Sequence, residues 1–276
     1  MYSRMTLPII LSLGFAAAAL AETHKFAATV GHQTCAVREP VLRVKPGDII
    51  ETNTLFSTFF TEEDGPWPGE VGPIYIEGAT PDDTLVVKIL KLRPNAPTGR
   101  SGTSSRYGSL TATNTTPMLH EPVPAKKHIW KIDTERLTAT LDLPESKMKK
   151  IEVELKPMLG RLATAPSEDQ AILGGVPFDF GGNMDASDAR EGATVYLPIF
   201  HEGAYFYFGD VHALQGDGEI TGMGIETSAG VTFQVDLIKG KKISWPRFED
   251  DDYIMVAGSA RPLIAAFRIA HVEMIK

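Results

Sequence analysis

The chain reads as mainly β: a sandwich or barrel-like core closed by one C-terminal helix. Three observations carry this. Short runs of β-branched and aliphatic residues recur between turn residues, and helical periodicity shows only near the end. The 25 glycines and 19 prolines among 276 residues favour many turns over long helices. Val41-Leu42-Arg43-Val44 alternates, Pro46-Gly47-Asp48 turns, and 49–52 resumes as strand. A second turn, Pro81-Asp82-Asp83, precedes a strand over 84–92. Further strands are expected over 74–76, 128–132, 137–143, 151–155, 193–200, 204–208, 219–225, 231–238 and 253–257. Residues 93–127, rich in Gly, Ser, Thr and Pro, read as a long polar loop, of a length found in functional excursions or partly disordered segments, with a plain mobile loop as the favoured reading. In the terminal helix, Leu263, Phe267, Ala270 and Met274 make one apolar face, with Pro262 near the first turn, where its missing N–H costs little.

Residues 1–21 read as a signal peptide. Arg4 supplies the positive start, 7–20 the apolar stretch, and Ala19-Leu20-Ala21 the small-x-small cleavage site. The apolar stretch is shorter than the ~20 residues of a spanning helix. The expected product is one domain, 22–276, exported to the periplasm or secreted, with no membrane association after cleavage. The hydrophobic content of 43% is that of an ordinary globular protein, and the net charge of −8 argues against a nucleic-acid partner. Cys35 is the single cysteine, so no internal disulfide forms. It reads as a small buried side chain, with a nucleophilic role as the other reading.

The chemistry concentrates at 209–219, Gly-Asp-Val-His-Ala-Leu-Gln-Gly-Asp-Gly-Glu, directly after the apolar run 204–208. If the strand continues, Asp210 and His212 share a face, which brings an oxygen and an imidazole together as a natural pair for a divalent metal. Gly216 and Gly218 allow a tight loop that returns Asp217 and Glu219 toward them. A second cluster, Gly-Gly-Asn-Met-Asp at 181–185, offers Asp185. The competing reading is a glycine-rich hairpin with solvated acids and one hydrogen-bonded histidine. There is no Gly-x-Ser-x-Gly elbow, no His-Glu-x-x-His, and no glycine-rich phosphate loop after a strand.

These two clusters, with Val195-Tyr196-Leu197-Pro198, Gly72-Pro73-Ile74-Tyr75-Ile76-Glu77-Gly78-Ala79, Pro46-Gly47-Asp48 and Trp245-Pro246-Arg247, resemble the acetamidase/formamidase family in the family's order. The resemblance implies a mainly β fold, a divalent metal (zinc expected), hydrolysis of small linear amides to acid and ammonia, and a homo-oligomer. It points to Asp185, Asp210 and His212 as metal ligands, Glu219 and Glu77 as catalytic residues, and Asn183 and Gln215 as substrate contacts. The chain departs from the family at Phe178-Asp179-Phe180, where relatives often carry a histidine, and it stops within its last helix. Those departures motivate an alternative: an exported, non-catalytic module that binds a small ligand or cation on the same fold.

Overall fold

A computed structural model describes residues 21–62, 64–104, 108–110 and 123–276. Almost all of the expected signal peptide, His120 and most of the polar stretch 105–122 lie outside them. The fold is mainly β, as expected. A seven-stranded sheet runs Thr23–Lys25, Ile49–Asn53, Ala229–Ile238, Thr84–Pro94, Thr194–Pro198, Arg247–Glu249 and Ile254–Val256. The larger sheet includes Lys126–Asp133, Thr98–Thr103, Glu226–Thr227, Phe206–His212, Met158–Ala163 and Gly181–Asn183, with Val71–Ile76 also paired to Phe206–His212. The two sheets face each other across one apolar core. Ile50, Val87, Val195 and Phe233 come from the first, and Ile74, Leu159, Leu162, Phe206 and Phe208 from the second.

Three expectations need correction. Residues 219–225 are not a strand, because Gly218 and Gly222 take φ of +76° and +72° and Glu219 one of +40°, which break the extended backbone. They are the returning arm of a loop closed at its base by Ala213 N–H to Ile225 O, 2.7 Å, and Ile225 N–H to Leu214 O, 2.8 Å. The stretch 93–127 is not loop throughout: Thr84–Pro94 reaches into it, and Thr98–Thr103 pairs with Lys126–Asp133. The helix Leu263–Ile275 exists, but Leu263, Phe267 and Met274 are exposed and its buried residues are Ala266 and Glu273. A small residue on the inner face permits close approach of the 258 backbone, where a Cβ would lie 2.5 Å from Ala266 O. Glu273 faces Arg247, at 3.6 Å, and bonds Lys276 at 2.7 Å.

The turn before Thr84–Pro94 is held by Asp83. It is buried and accepts hydrogen bonds from Thr80 N–H (2.9 Å), Thr80 Oγ1 (2.7 Å), Gly240 N–H (2.9 Å) and Lys239 Nζ. Burial alone would raise its pKa, but these donors outweigh it and hold the carboxyl well below the usual range. A depressed folded-state pKa stabilises above the unfolded value of about 3.9, and that contribution is lost as pH falls toward the folded value. Asp83→Asn should therefore cost about 1.5–3 kcal/mol at pH 7. The gap to wild type should close progressively as pH drops below about 4, and urea titrations at both pH values would show it. A gap that is constant with pH refutes the assignment.

Candidate metal centre

The site grows from a change of face in two paired strands. Phe206, Phe208 and Val211 all face the main core, while Tyr207 packs on the opposite side. Strict alternation cannot place both 208 and 211 inward, so the strand must rotate between them. The rotation falls at Asp210, whose φ is +57°. The partner strand makes the same switch at Gly160, between core residues Leu159 and Leu162. As a result Asp210 and His212 come together on one side, with His212 Nε2 3.4 Å from Asp210 Oδ1.

Glu226, on the neighbouring strand Glu226–Thr227, completes one group. Its Oε2 lies 3.1 Å from His212 Nε2, and Asp210, His212 and Glu226 are all buried. A second group, Asp185, His212 and Glu219, shares the histidine. Within each group the ligand atoms lie within 4.8 Å of one another. Asp185 takes φ of +46° after the glycine pair 181–182, both at positive φ. Gln215 locks the histidine: its Oε1 is 2.6 Å from His212 Nδ1, and its Nε2 donates to Asp185 O at 2.7 Å. An amide oxygen only accepts, so Nδ1 carries the proton and Nε2 is the nitrogen turned to the carboxylates.

Arg161, from Met158–Ala163, crosses the back of the cluster. Its guanidinium pairs with Glu70, lies 3.1 Å from Asp210 Oδ2, and donates to Asn183 Oδ1. The Asn183 amide donates in turn to Asp185 Oδ2. Burial would raise the pKa of Asp210, but Arg161 and then His212 pull it below the usual carboxylate range. Burial pushes Glu226 up to about 7 and Asp185 well above its ordinary value, the latter helped by the charge of Asp210. Burial lowers His212, but Glu226 and Asp210 outweigh it and the imidazole is held well above 6.5.

The residues present fit a divalent cation. Asp185 Oδ1 and Glu226 Oε2 are buried carboxylate oxygens with no hydrogen-bond partner, and they sit in a cluster with more acid than cationic charge. Backbone space is kept open for them. A Cβ at Gly160 would lie 2.6 Å from Asp185 Oδ1 and 2.9 Å from Asp210 Oδ2. Gly160→Ala should thus push both carboxylates aside and weaken divalent-ion binding about 10–100-fold, read by chelator competition. Unchanged affinity would show that neither oxygen meets the ion.

Not every expected residue is here. Asp217 is exposed and accepts from Ser187 Oγ at 3.0 Å, away from the cluster. Glu77 is exposed at the far end of Val71–Ile76. The antiparallel register sets Val71 opposite Phe208 and Ile74 opposite Phe206, so the start of that strand, and with it Glu70, approaches Asp210. Asn183 and Gln215 are both engaged with the cluster's own side chains and backbone. Cys35 is buried, which pushes its thiol up to about 12 and leaves it neutral, so the nucleophile reading fails. Glu226, Glu70 and Arg161 were missed. The one signal for Glu226 was an acid flanked by Ile225 and Thr227 just before a long apolar strand.

The chain also matches known proteins. The model of the Acetamidase/Formamidase family matches residues 176–261. An acetamidase of Mycolicibacterium smegmatis is 32% identical over 215 residues, covering 61% of this chain and 53% of that protein. A formamidase of Methylophilus methylotrophus is 28% identical over 210 residues, covering 61% and 51%. The chain thus spans about half the length of these curated relatives. The crystal structure of an acetamidase from Yersinia enterocolitica superposes with a TM-score of 0.79 at 32% identity, covering 95% of this chain and 82% of that one. The chain belongs to the acetamidase/formamidase family.

Proposed function

We propose that the protein is a metal-dependent amidase that hydrolyses small linear amides, of the formamide or acetamide kind, to the carboxylic acid and ammonia. The observation that carries this reading is the convergence of Asp185, Asp210, Glu219 and Glu226 on one tautomer-locked histidine, with two buried carboxylate oxygens unsatisfied. Mixed imidazole and carboxylate donors suit zinc among several divalent ions. Such an ion would supply Lewis acidity toward the amide carbonyl and the attacking water.

The chain's own residues do the rest. Asp210, His212 and Glu226 would hold the ion from the sheet, with Asp185 beside them. Glu219 sits half-buried on the loop that folds back over the site, and burial raises its carboxyl above the ordinary value, with His212 opposing. That makes it the candidate general base: it takes the proton of the attacking water and returns it to the departing amine, so that one water and one amide give one acid and one ammonia.

Ammonia release from formamide and acetamide, with metal analysis of the purified protein and with added chelator, tests the reading. Turnover is expected to vanish on chelation and in Glu219→Gln. Turnover indifferent to chelator, in protein holding no divalent metal, would reject it.

Two further parts of the proposal rest on separate grounds. Export rests on the composition of residues 1–21. Self-association is supported by the exposed apolar residues Leu263, Ile264, Phe267 and Ile275 of the terminal helix, and light scattering would measure it. Among the described residues no helix is long and apolar enough to cross a membrane.

A further inference from the structure

Arg161 has more partners than an ion pair requires. Glu70 alone would balance its charge, and that carboxylate is held at Oε1, to which Trp67 Nε1 donates at 3.3 Å, with the 174 backbone so close that a Cβ there would lie 2.5 Å from its Cδ. The guanidinium itself lies over the Trp67 ring, 4.6 Å from its centroid. Held this way, its Nε–H donates to Asn183 Oδ1, and the same nitrogen stands 3.1 Å from Asp210 Oδ2 as an ion pair.

The consequence lies in what a guanidinium can do. It only donates, so Asn183 must offer it the amide oxygen, and the amide NH2 is forced toward Asp185. That NH2 takes Asp185 Oδ2 and leaves Oδ1 as the free oxygen. The ion-pair contact of that same Nε with Asp210 Oδ2 draws this oxygen toward the guanidinium and leaves Oδ1 facing His212. One residue thereby sets the orientation of two carboxylates, one directly and one through an amide.

We infer that Arg161 is a positioning residue for the divalent-ion cluster, acting on Asp210 directly and on Asp185 through Asn183, with Glu70 and Trp67 serving to hold Arg161. The inference rests on the metal-dependent reading above. It makes an unusual prediction about sign. By charge alone, removing a cation from beside the ligands should tighten the binding of a second cation. If orientation dominates, binding should weaken.

Zn²⁺ titration of chelator-stripped protein decides between them. Arg161→Met and Asn183→Leu should each bind Zn²⁺ about 10–100-fold more weakly than wild type. Arg161→Lys, which keeps the charge but not the planar fork, should be weakened as well. Circular dichroism and thermal unfolding of the stripped proteins confirm the fold. Where Arg161→Met does not fold, Asn183→Leu and Arg161→Lys carry the test. Folded variants that bind Zn²⁺ as tightly as wild type, or more tightly, overturn the inference and leave a structural ion pair. Wild-type protein that binds no Zn²⁺ overturns the reading beneath it, and shows this before any variant is compared.

Discussion

In a His212→Ala variant, divalent metal should be lost and ammonia release should fall by on the order of 10³-fold or more. The two candidate ligand groups share this one side chain, so no other substitution removes a donor from both. The size follows from the chemistry: a bound ion can lower the pKa of water from 15.7 to about 7, an advantage that disappears with the ion. The metal-free protein should suffer too. Glu226 and Asp210 raise the imidazole pKa against the effect of burial, so truncation leaves Glu226 buried without its histidine partner and leaves Asp210 with Arg161 alone. Breaking such a group costs about 3–5 kcal/mol. Metal analysis, an ammonia assay and urea unfolding measure the three effects. A variant that keeps its metal would place the ion elsewhere.

Phe208→Ala should produce the largest loss of stability, about 3–5 kcal/mol. Phe208 is fully buried between the sheets, its ring 4.9 Å from Phe233 and 5.9 Å from Phe206, centroid to centroid. These rings come from both sheets, so the vacated volume cannot be filled by movement of one side chain. At roughly 2–4 °C per kcal/mol for a domain of this size, the melting temperature should fall by about 6–20 °C. The site should loosen as well, because Phe208 anchors the strand just before it rotates at Asp210. A loss below about 1 kcal/mol in urea unfolding would mean that the core collapses around the gap.

How much of this could be read from the sequence depended on whether a residue sat in a local pattern. The sandwich was legible because strand runs and turn residues are local. So was the pairing of Asp210 with His212, two apart on one strand. Glu70 was not. The strand Val71–Ile76 carries an acid just beyond each end, and only its register against Phe206–His212 decides which one meets the cluster. Glu77 was the wrong end. Glu226 was hidden because a two-residue strand has no periodicity, and the glycine-rich run before it read as strand. Arg161 looked like an ordinary basic residue, since its role is set by Glu70, Asn183 and Asp210, all distant in sequence. The helix failed differently. Its apolar stripe was real but faces outward, because burial of Ala266 and Glu273 was decided by the neighbouring backbone at 258 and by Arg247.

The assembly of the cluster from separate strands also fixes when a metal can be taken up. Before Met158–Ala163 and Glu226–Thr227 have joined Phe206–His212, the 210–219 fragment lacks Glu226 and the fixed geometry that brings its donors together. Loading of the proposed metal would therefore follow folding. If the proposed export takes the chain across a membrane unfolded, the ion would be drawn from the compartment of arrival and not from the cytoplasm. The identity of the bound metal would then report the supply at the destination as much as the preference of the ligands.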